Sequence, residues 1–407
     1  MLHEPDRHEA LLPIAWDEAR ARDAITRIVA DTEAHFSKET YWPTHPRDIE
    51  PGDVAGQITT TLYFGAAGVM WALDYLRSVG AVTLRRDPLE GLDTLLARNR
   101  EQLAAWGRRD FAAYLGGDTP ILLMAYGREA SEELSVRLAT LIEGNIDHRA
   151  RELMSGAPGT MLAALFLFER SGDARWAEQF RATAAKLWSQ LELSDEHACH
   201  YWTQDDSGRR TTYLDAVHGF VATASPLIRG RHLLASSEWQ DWQRCIANTV
   251  TRTATWEDDL ASWRSQLDPA ADRKKLMQFC HGAPGFVICL GDWPGAGLDE
   301  LLLAAGRATW AAGPLNKGSN LCHGTGGNGY TFLKLYQRTR DPMWLERARA
   351  FAMHGIAQTE ADAVRFGQMR YSLWTGDPGF AIYLWDCLQA QARFPTLDIF
   401  WGGSHVD

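Results

Sequence analysis

The chain has 407 residues, 45% hydrophobic and 23% charged, which excludes disorder and collagen-like fibres. Lysine plus arginine number 41 against 52 aspartate plus glutamate, a net charge of −11. With no lysine or arginine cluster, this balance argues against nucleic acid or an anionic membrane surface as partner.

The first residues, MLHEPDRHEALLPIAW, mix acidic and basic side chains and no apolar run follows. That reads as no signal peptide, and no window approaches 18 uninterrupted apolar residues, so no membrane span is expected. The expectation is a cytoplasmic protein whose six cysteines (199, 245, 280, 289, 322 and 387) are free, metal-bound or catalytic. Residues 1–60 carry no glycine turn, and Tyr41-Trp42-Pro43 with His45-Pro46 reads as an ordered N-terminal cap.

From residue 61 one phrase recurs to the end of the chain: a glycine, two residues, a small residue or proline, then an apolar run. The copies start at Gly65, Gly117, Gly156, Gly219, Gly282, Gly324 and Gly376. Seventeen residues after four of these glycines stand Asp173, Ser236, Asp299 and Asp341, all good helix N-cap types. Tryptophan follows three residues later at Trp176, Trp239 and Trp344.

The two helices of each repeat differ in pattern. The run after the glycine, such as Met161–Phe168, is apolar nearly all round, as in a helix buried on every side. The second type is amphipathic, with stripes at Leu134/Leu138/Leu141/Ile142, Trp176/Phe180/Leu187 and Trp344/Ala348/Phe351. Inner helices sheathed by outer helices follow from this pattern, in one all-α domain over 1–407. Short β-like stretches at Arg209–Leu214 and Val364–Leu373 are too few for a sheet protein.

The glycines themselves are punctuation, so function is sought in polar residues added at the turns. Two turns carry Cys-His-Gly, at Cys280-His281-Gly282 and Cys322-His323-Gly324, and a third carries His218-Gly219. Matching places in successive repeats lie at one end of the array, so two thiols and up to three imidazoles can converge. Cysteine and histidine are the ligands zinc prefers, and three protein ligands with an open position describe a catalytic site. Such a zinc can lower the pKa of an incoming thiol or activate water, and spacing does not choose between them.

The phrases CHGAPG, CHGTGGNGYTFLKLY, DAVHGF and ELMSGAPG, set on seven glycine turns, resemble the lanthionine synthetase C-like family over essentially the whole chain. The resemblance implies an α/α toroid of seven inner and seven outer helices. It implies zinc held by Cys280, Cys322 and His323, and addition of a thiolate to dehydroalanine or dehydrobutyrine to form a thioether. It gives His218 the proton transfer at the α-carbon, with His281 assisting and Glu152 orienting an imidazole. Lys317 matches a lysine linked to glutathione binding, and the doublet CHGAPG with Lys317-Gly318 looks closer to the eukaryotic-type glutathione-binding branch than to nisin-type cyclases. Those cyclases have arginine four residues before the first ligand cysteine and tryptophan directly before it. Here the two positions are Leu276 and Phe279.

The implied partners are a peptide or protein carrying a dehydroamino acid, and glutathione. Two alternatives remain at this level: a non-catalytic zinc and glutathione-binding module, or an unrelated α/α-barrel carbohydrate-active enzyme whose 17 tryptophans would stack on sugar rings.

Overall fold

The computed structural model describes residues 1–49, 58–206, 208–268, 270 and 274–403. Fourteen α-helices lie among the described residues, alternating between two concentric layers. The inner helices are α2 (Ala66–Ser78), α4 (Thr119–Arg128), α6 (Ala157–Ser171), α8 (Phe220–Arg229), α10 (Ala283–Leu290), α12 (Thr325–Thr339) and α14 (Asp377–Gln389). Each starts within two residues of one of the seven turn glycines. The outer helices are α1 (Glu18–Ala34), α3 (Leu92–Ala105), α5 (Glu132–Asn145), α7 (Ala174–Ser189), α9 (Ser236–Thr253), α11 (Asp299–Ala312) and α13 (Pro342–Phe366).

Each inner helix packs on the next, and α14 returns to α2, so the layer closes into a ring. This is the α/α toroid that the family resemblance implies, with the inner and outer layers that the two helix patterns predict. The buried residues of α6 run unbroken from Ala157 to Leu167, whereas α7 buries only a stripe that includes Trp176, Phe180 and Leu187. None of the described helices is long and apolar enough to cross a membrane.

The inner helices all begin at one end of the ring, and a run of backbone hydrogen bonds links their entry turns from Cys280 round through Trp374 and Tyr63 to Val217. At five of the seven turns the second residue before the glycine donates its amide to the carbonyl of the equivalent residue in the next repeat, and at a sixth Leu153, one residue earlier, donates to Val217 at 3.1 Å. Tyr63 bonds to Leu115 at 3.1 Å and Leu115 to Met154 at 3.0 Å. Cys280 bonds to Cys322 at 3.1 Å, Cys322 to Trp374 at 2.8 Å, and Trp374 back to Tyr63 at 3.1 Å. The last repeat is thereby tied to the first. Buried amides need such partners, so these bonds set the relative height of the turns they link. Gly219 is required by this crowding, because a Cβ there would fall on the amide of Asp215. Gly282 is required by its backbone, at φ 100°.

Three local expectations need correction. Asp173 and Asp341 cap their helices, accepting from Arg175 N and Met343 N at 2.9 Å each. Ser236 and Asp299 instead lie one residue inside theirs, and Asp299 accepts from Arg338 Nε at 2.6 Å. Val364–Phe366 form the last turn of α13, not a strand, and the helix stops where Gly367 takes φ 70°. Arg209–Thr211 does pair as a short hairpin strand with Gln204–Asp206. The segment read as an N-terminal cap contains α1, which packs against α14 and α13 in the outer layer.

The hole of the ring is filled from the end opposite the turns. After α14 the chain reverses at Ala390 (φ 52°) and the segment 391–401 enters the hollow. Its carbonyls at Thr396 and Phe400 accept from Tyr114 Oη at 2.6 Å and Trp71 Nε1 at 2.7 Å. Leu397 O accepts from Arg229 at 3.2 Å, and Asp398 pairs with the buried Lys334 at 3.0 Å. Phe394, fully buried at its tip, stacks on Phe279 at 4.5 Å and meets Tyr330 and Trp374 at 4.9 and 5.6 Å. Phe394→Ala leaves a cavity on the ring axis, and the expected loss is about 3–5 kcal/mol of stability, read as a lowered denaturant midpoint.

Candidate metal centre

The turn-to-turn hydrogen bonding places Cys280 and Cys322 at equivalent points of adjacent repeats, with His323 directly after the second. The two sulfurs and an imidazole nitrogen of His323 lie within 4.8 Å of one another. Zinc–sulfur bonds near 2.3 Å set tetrahedral ligand atoms about 3.8 Å apart, so this group needs only small adjustment to share one cation. Both cysteines are buried and sit at the N-terminal ends of α10 and α12, where unpaired helix amides favour thiolates.

Each sulfur receives a hydrogen bond from outside this candidate group. Tyr63 Oη donates to Cys322 Sγ at 2.8 Å and Gln278 Nε2 to Cys280 Sγ at 2.9 Å. The Cys280 thiol, in contact with Cys322 and buried, is held well above the usual thiol range. The same contact, against burial and helped by Tyr63, lowers Cys322. Two adjacent buried sulfurs cannot both carry charge without a positive partner, and a soft divalent cation supplies one. All six cysteines are free thiols, and the other four lie outside this cluster.

The histidine before the glycine is held by a carboxylate from the preceding repeat, and this occurs twice. The residue four before each glycine caps its own turn: Glu152 accepts from Met154 N at 2.8 Å and Ser155 N at 2.6 Å. Asp215 accepts from Val217 N at 3.1 Å and His218 N at 2.8 Å. Both carboxylates also reach the next repeat, Glu152 through the Oε2 that Met154 N already shares and Asp215 through its other oxygen. Glu152 Oε2 lies 3.0 Å from His218 Nδ1, and Asp215 Oδ2 lies 2.8 Å from His281 Nδ1. Tyr213 places its ring 5.7 Å from that of His218 and 6.0 Å from that of His281.

Burial opposes charge on His218, but Glu152 and then Asp215 outweigh it and carry the imidazole up to about 9. Burial likewise opposes His281, and Asp215 with Cys280 raises it to about 9. Lys317 is half-buried beside the N-terminal segment. Burial and then Arg7 lower its pKa, while Cys280 and Cys322 pull the other way.

Cys280, Cys322, His323, His218, His281 and Glu152 are thus set on neighbouring turns at one end of the ring. Asp215, Tyr63, Gln278 and Tyr213 were not singled out from the sequence. Asp215 stands in the DAVHGF phrase at the place Glu152 occupies in its own turn, so aligning the turns would have found it. Tyr63 had no such signal, because it reaches Cys322 only through ring closure.

A profile of the lanthionine synthetase C-like protein family matches residues 55–399. The chain is 37% identical over 380 residues to glutathione S-transferase LANCL1 of Danio rerio, covering 87% of each. It is 34% identical over 138 residues to LanC-like protein GCL1 of Arabidopsis thaliana, covering 31% of each. Among solved structures it resembles nisin cyclase with TM-score 0.64 and 14% identity, over 95% of this chain and 100% of that one, a likeness of fold alone.

Proposed function

The chain belongs to the lanthionine synthetase C-like family, and from that premise we propose that it joins a thiol to a dehydroalanine or dehydrobutyrine residue as a thioether. The observation that carries this reading is the convergence of Cys280, Cys322 and His323 beside an imidazole, His218, held by Glu152. These three ligands would hold zinc, which when bound keeps an incoming thiol as thiolate at neutral pH.

The chain's own residues supply the rest. In the addition a sulfur–carbon bond forms at the β-carbon, the carbon–carbon π bond breaks, and its electron pair passes to the α-carbon. His218 gives the proton that the α-carbon takes up, and the proton released by the thiol returns the imidazole to its acid form through solvent. The step is redox-neutral and needs no further reactant. Glu152 keeps His218 charged and oriented. His281, held by Asp215, lies next to the ligand Cys280 and assists. Lys317 offers positive charge to an anionic thiol such as glutathione.

Glutathione is the favoured donor over a cysteine within the acceptor peptide. Leu276 and Phe279 replace the arginine and tryptophan that mark nisin-type cyclases, and the zebrafish relative is named a glutathione S-transferase. Leu276 also keeps a binding-only role in view, in which zinc and glutathione are held without turnover. A cytoplasmic setting belongs to the same reading, since reducing conditions preserve free thiols. The deciding experiment incubates zinc-loaded protein with glutathione and a dehydroalanine peptide and follows the mass gain of one glutathione. Adduct forming well above the protein-free rate supports catalysis, and equal rates with and without protein leave binding alone.

A further inference from the structure

Beside His323, away from the two carboxylate–histidine pairs, lies a cavity of about 520 Å³. A line of rings leads into it from the surface. Trp106, at the end of α3, is 39% exposed. Its ring lies 6.5 Å from that of Phe64, and Phe64 lies 5.7 Å from Tyr63. Tyr63 in turn donates to the ligand Cys322. The rings therefore run from solvent to the candidate metal centre.

The arginine and aspartate side chains of the described cavity wall are already paired. Arg47 meets Asp362 at 2.7 Å, and Arg370 binds Asp48 through Nε at 2.8 Å and through a second, shorter contact. His45 is buried, and burial with Arg370 lowers its pKa, keeping it neutral. Trp42 and Tyr371 spend their polar atoms on Thr32 O and Asp31. What the described wall offers a ligand is mainly ring surface and a few threonine hydroxyls, with no unspent charge among these groups. Lys317 is not part of its wall, so the cavity is poorly suited to the carboxylates of glutathione.

We infer that this aromatic pocket is the acceptor subsite and takes an uncharged aromatic or aliphatic side chain next to the dehydroamino acid. The inference rests on the proposed thioether chemistry and adds the substrate class. The reach is right: a β-carbon reacting beside Cys322 is one ring from Phe64, and an extended peptide advances about 3.3–3.6 Å per residue. The side chain one or two positions from the reacting residue therefore meets Phe64 and Trp106, where aromatic contact and burial favour apolar groups.

The test compares dehydroalanine peptides flanked by Phe, Leu, Gly or Glu, each with glutathione and zinc-loaded protein. The expected order in kcat/KM is Phe and Leu above Gly by about tenfold, with Glu lowest. In Trp106→Ala and in Phe64→Ala the Phe-to-Gly ratio falls to about two or less, an estimate on the same basis. Trp106 is surface-exposed, so its variant keeps the test open should Phe64→Ala fold poorly. Calorimetry on unreactive peptides, with alanine for dehydroalanine, should give the same order in Kd. Equal values for all four peptides, a preference for Glu, or a Phe preference that survives in both variants overturns the subsite. Absence of adduct on every peptide overturns the proposed chemistry instead, and the calorimetric order still decides the pocket.

Discussion

Cys322→Ala is expected to reduce bound zinc from one ion per chain to a small fraction of that, and to abolish thioether formation with it. Of the three proposed ligands, Cys322 is the one most tightly built into the ring. Its amide and carbonyl bond to Trp374 and Cys280, its sulfur accepts from Tyr63, and His323 follows directly. Removing the sulfur leaves one thiolate and one imidazole, too few soft donors for a tight site. It also strands the Tyr63 hydroxyl in a buried place. Cys387→Ala is the matching control, since that thiol is buried in α14 outside the cluster and should leave the zinc content at one. The readout is elemental analysis of dialysed protein, with competition against a chelator to rank affinities. Retention of stoichiometric zinc by Cys322→Ala would remove the ligand set, and with it the reason for placing chemistry at this end.

The sequence made some of this site readable and hid the rest for a physical reason. Gly282 and Gly324 stand at turns, and turn chemistry is local, so the Cys-His pairs beside them could be seen to share a register. The all-apolar run of α6 and the stripe of α7 are also local signals, and the two layers follow from them, while closure into a ring is implied only by the family resemblance. Contacts that cross the ring are not local. Tyr63 and Cys322 are neighbours only because the last repeat bonds back to the first. The segment at Phe394 has no repeat of its own, and nothing in its composition marks it as a filling for the central hole. Asp215 lay in a phrase already singled out, yet its role depends on His281 in the next repeat. Val364–Phe366 looked strand-like by composition, but β-propensity is a weak signal, and the helix continues until Gly367 ends it.

The carboxylate–imidazole pair yields the second large effect. His218→Ala is expected to lower the rate of glutathione addition by about a hundredfold to ten-thousandfold, the range of a positioned proton donor, while zinc should remain bound because His218 lies outside the proposed ligand set. Glu152→Gln is expected to cost about ten- to a hundredfold, as for the loss of a partner that orients an active group, and it should also move the pH profile. With Glu152 present, His218 stays protonated up to about 9 against an ordinary value of 6.5. A group raised on folding stabilises the folded state fully below its unfolded pKa and loses that contribution as pH rises through the folded value. The Glu152–His218 contribution is thus complete below about 6.5, the ordinary imidazole value, and gone above about 9. The same window governs proton donation: the high-pH limb of the addition rate should lie near 9 in the wild type and shift downward in Glu152→Gln, where burial acts with less opposition. Asp215 remains beside the imidazole and limits the shift. A purely structural role for Glu152 through its turn amides would instead lower stability and rate at every pH without moving the limb. The discriminating measurement is therefore kcat against pH for both variants at constant zinc occupancy, and an unmoved limb in Glu152→Gln assigns the proton to a donor other than His218.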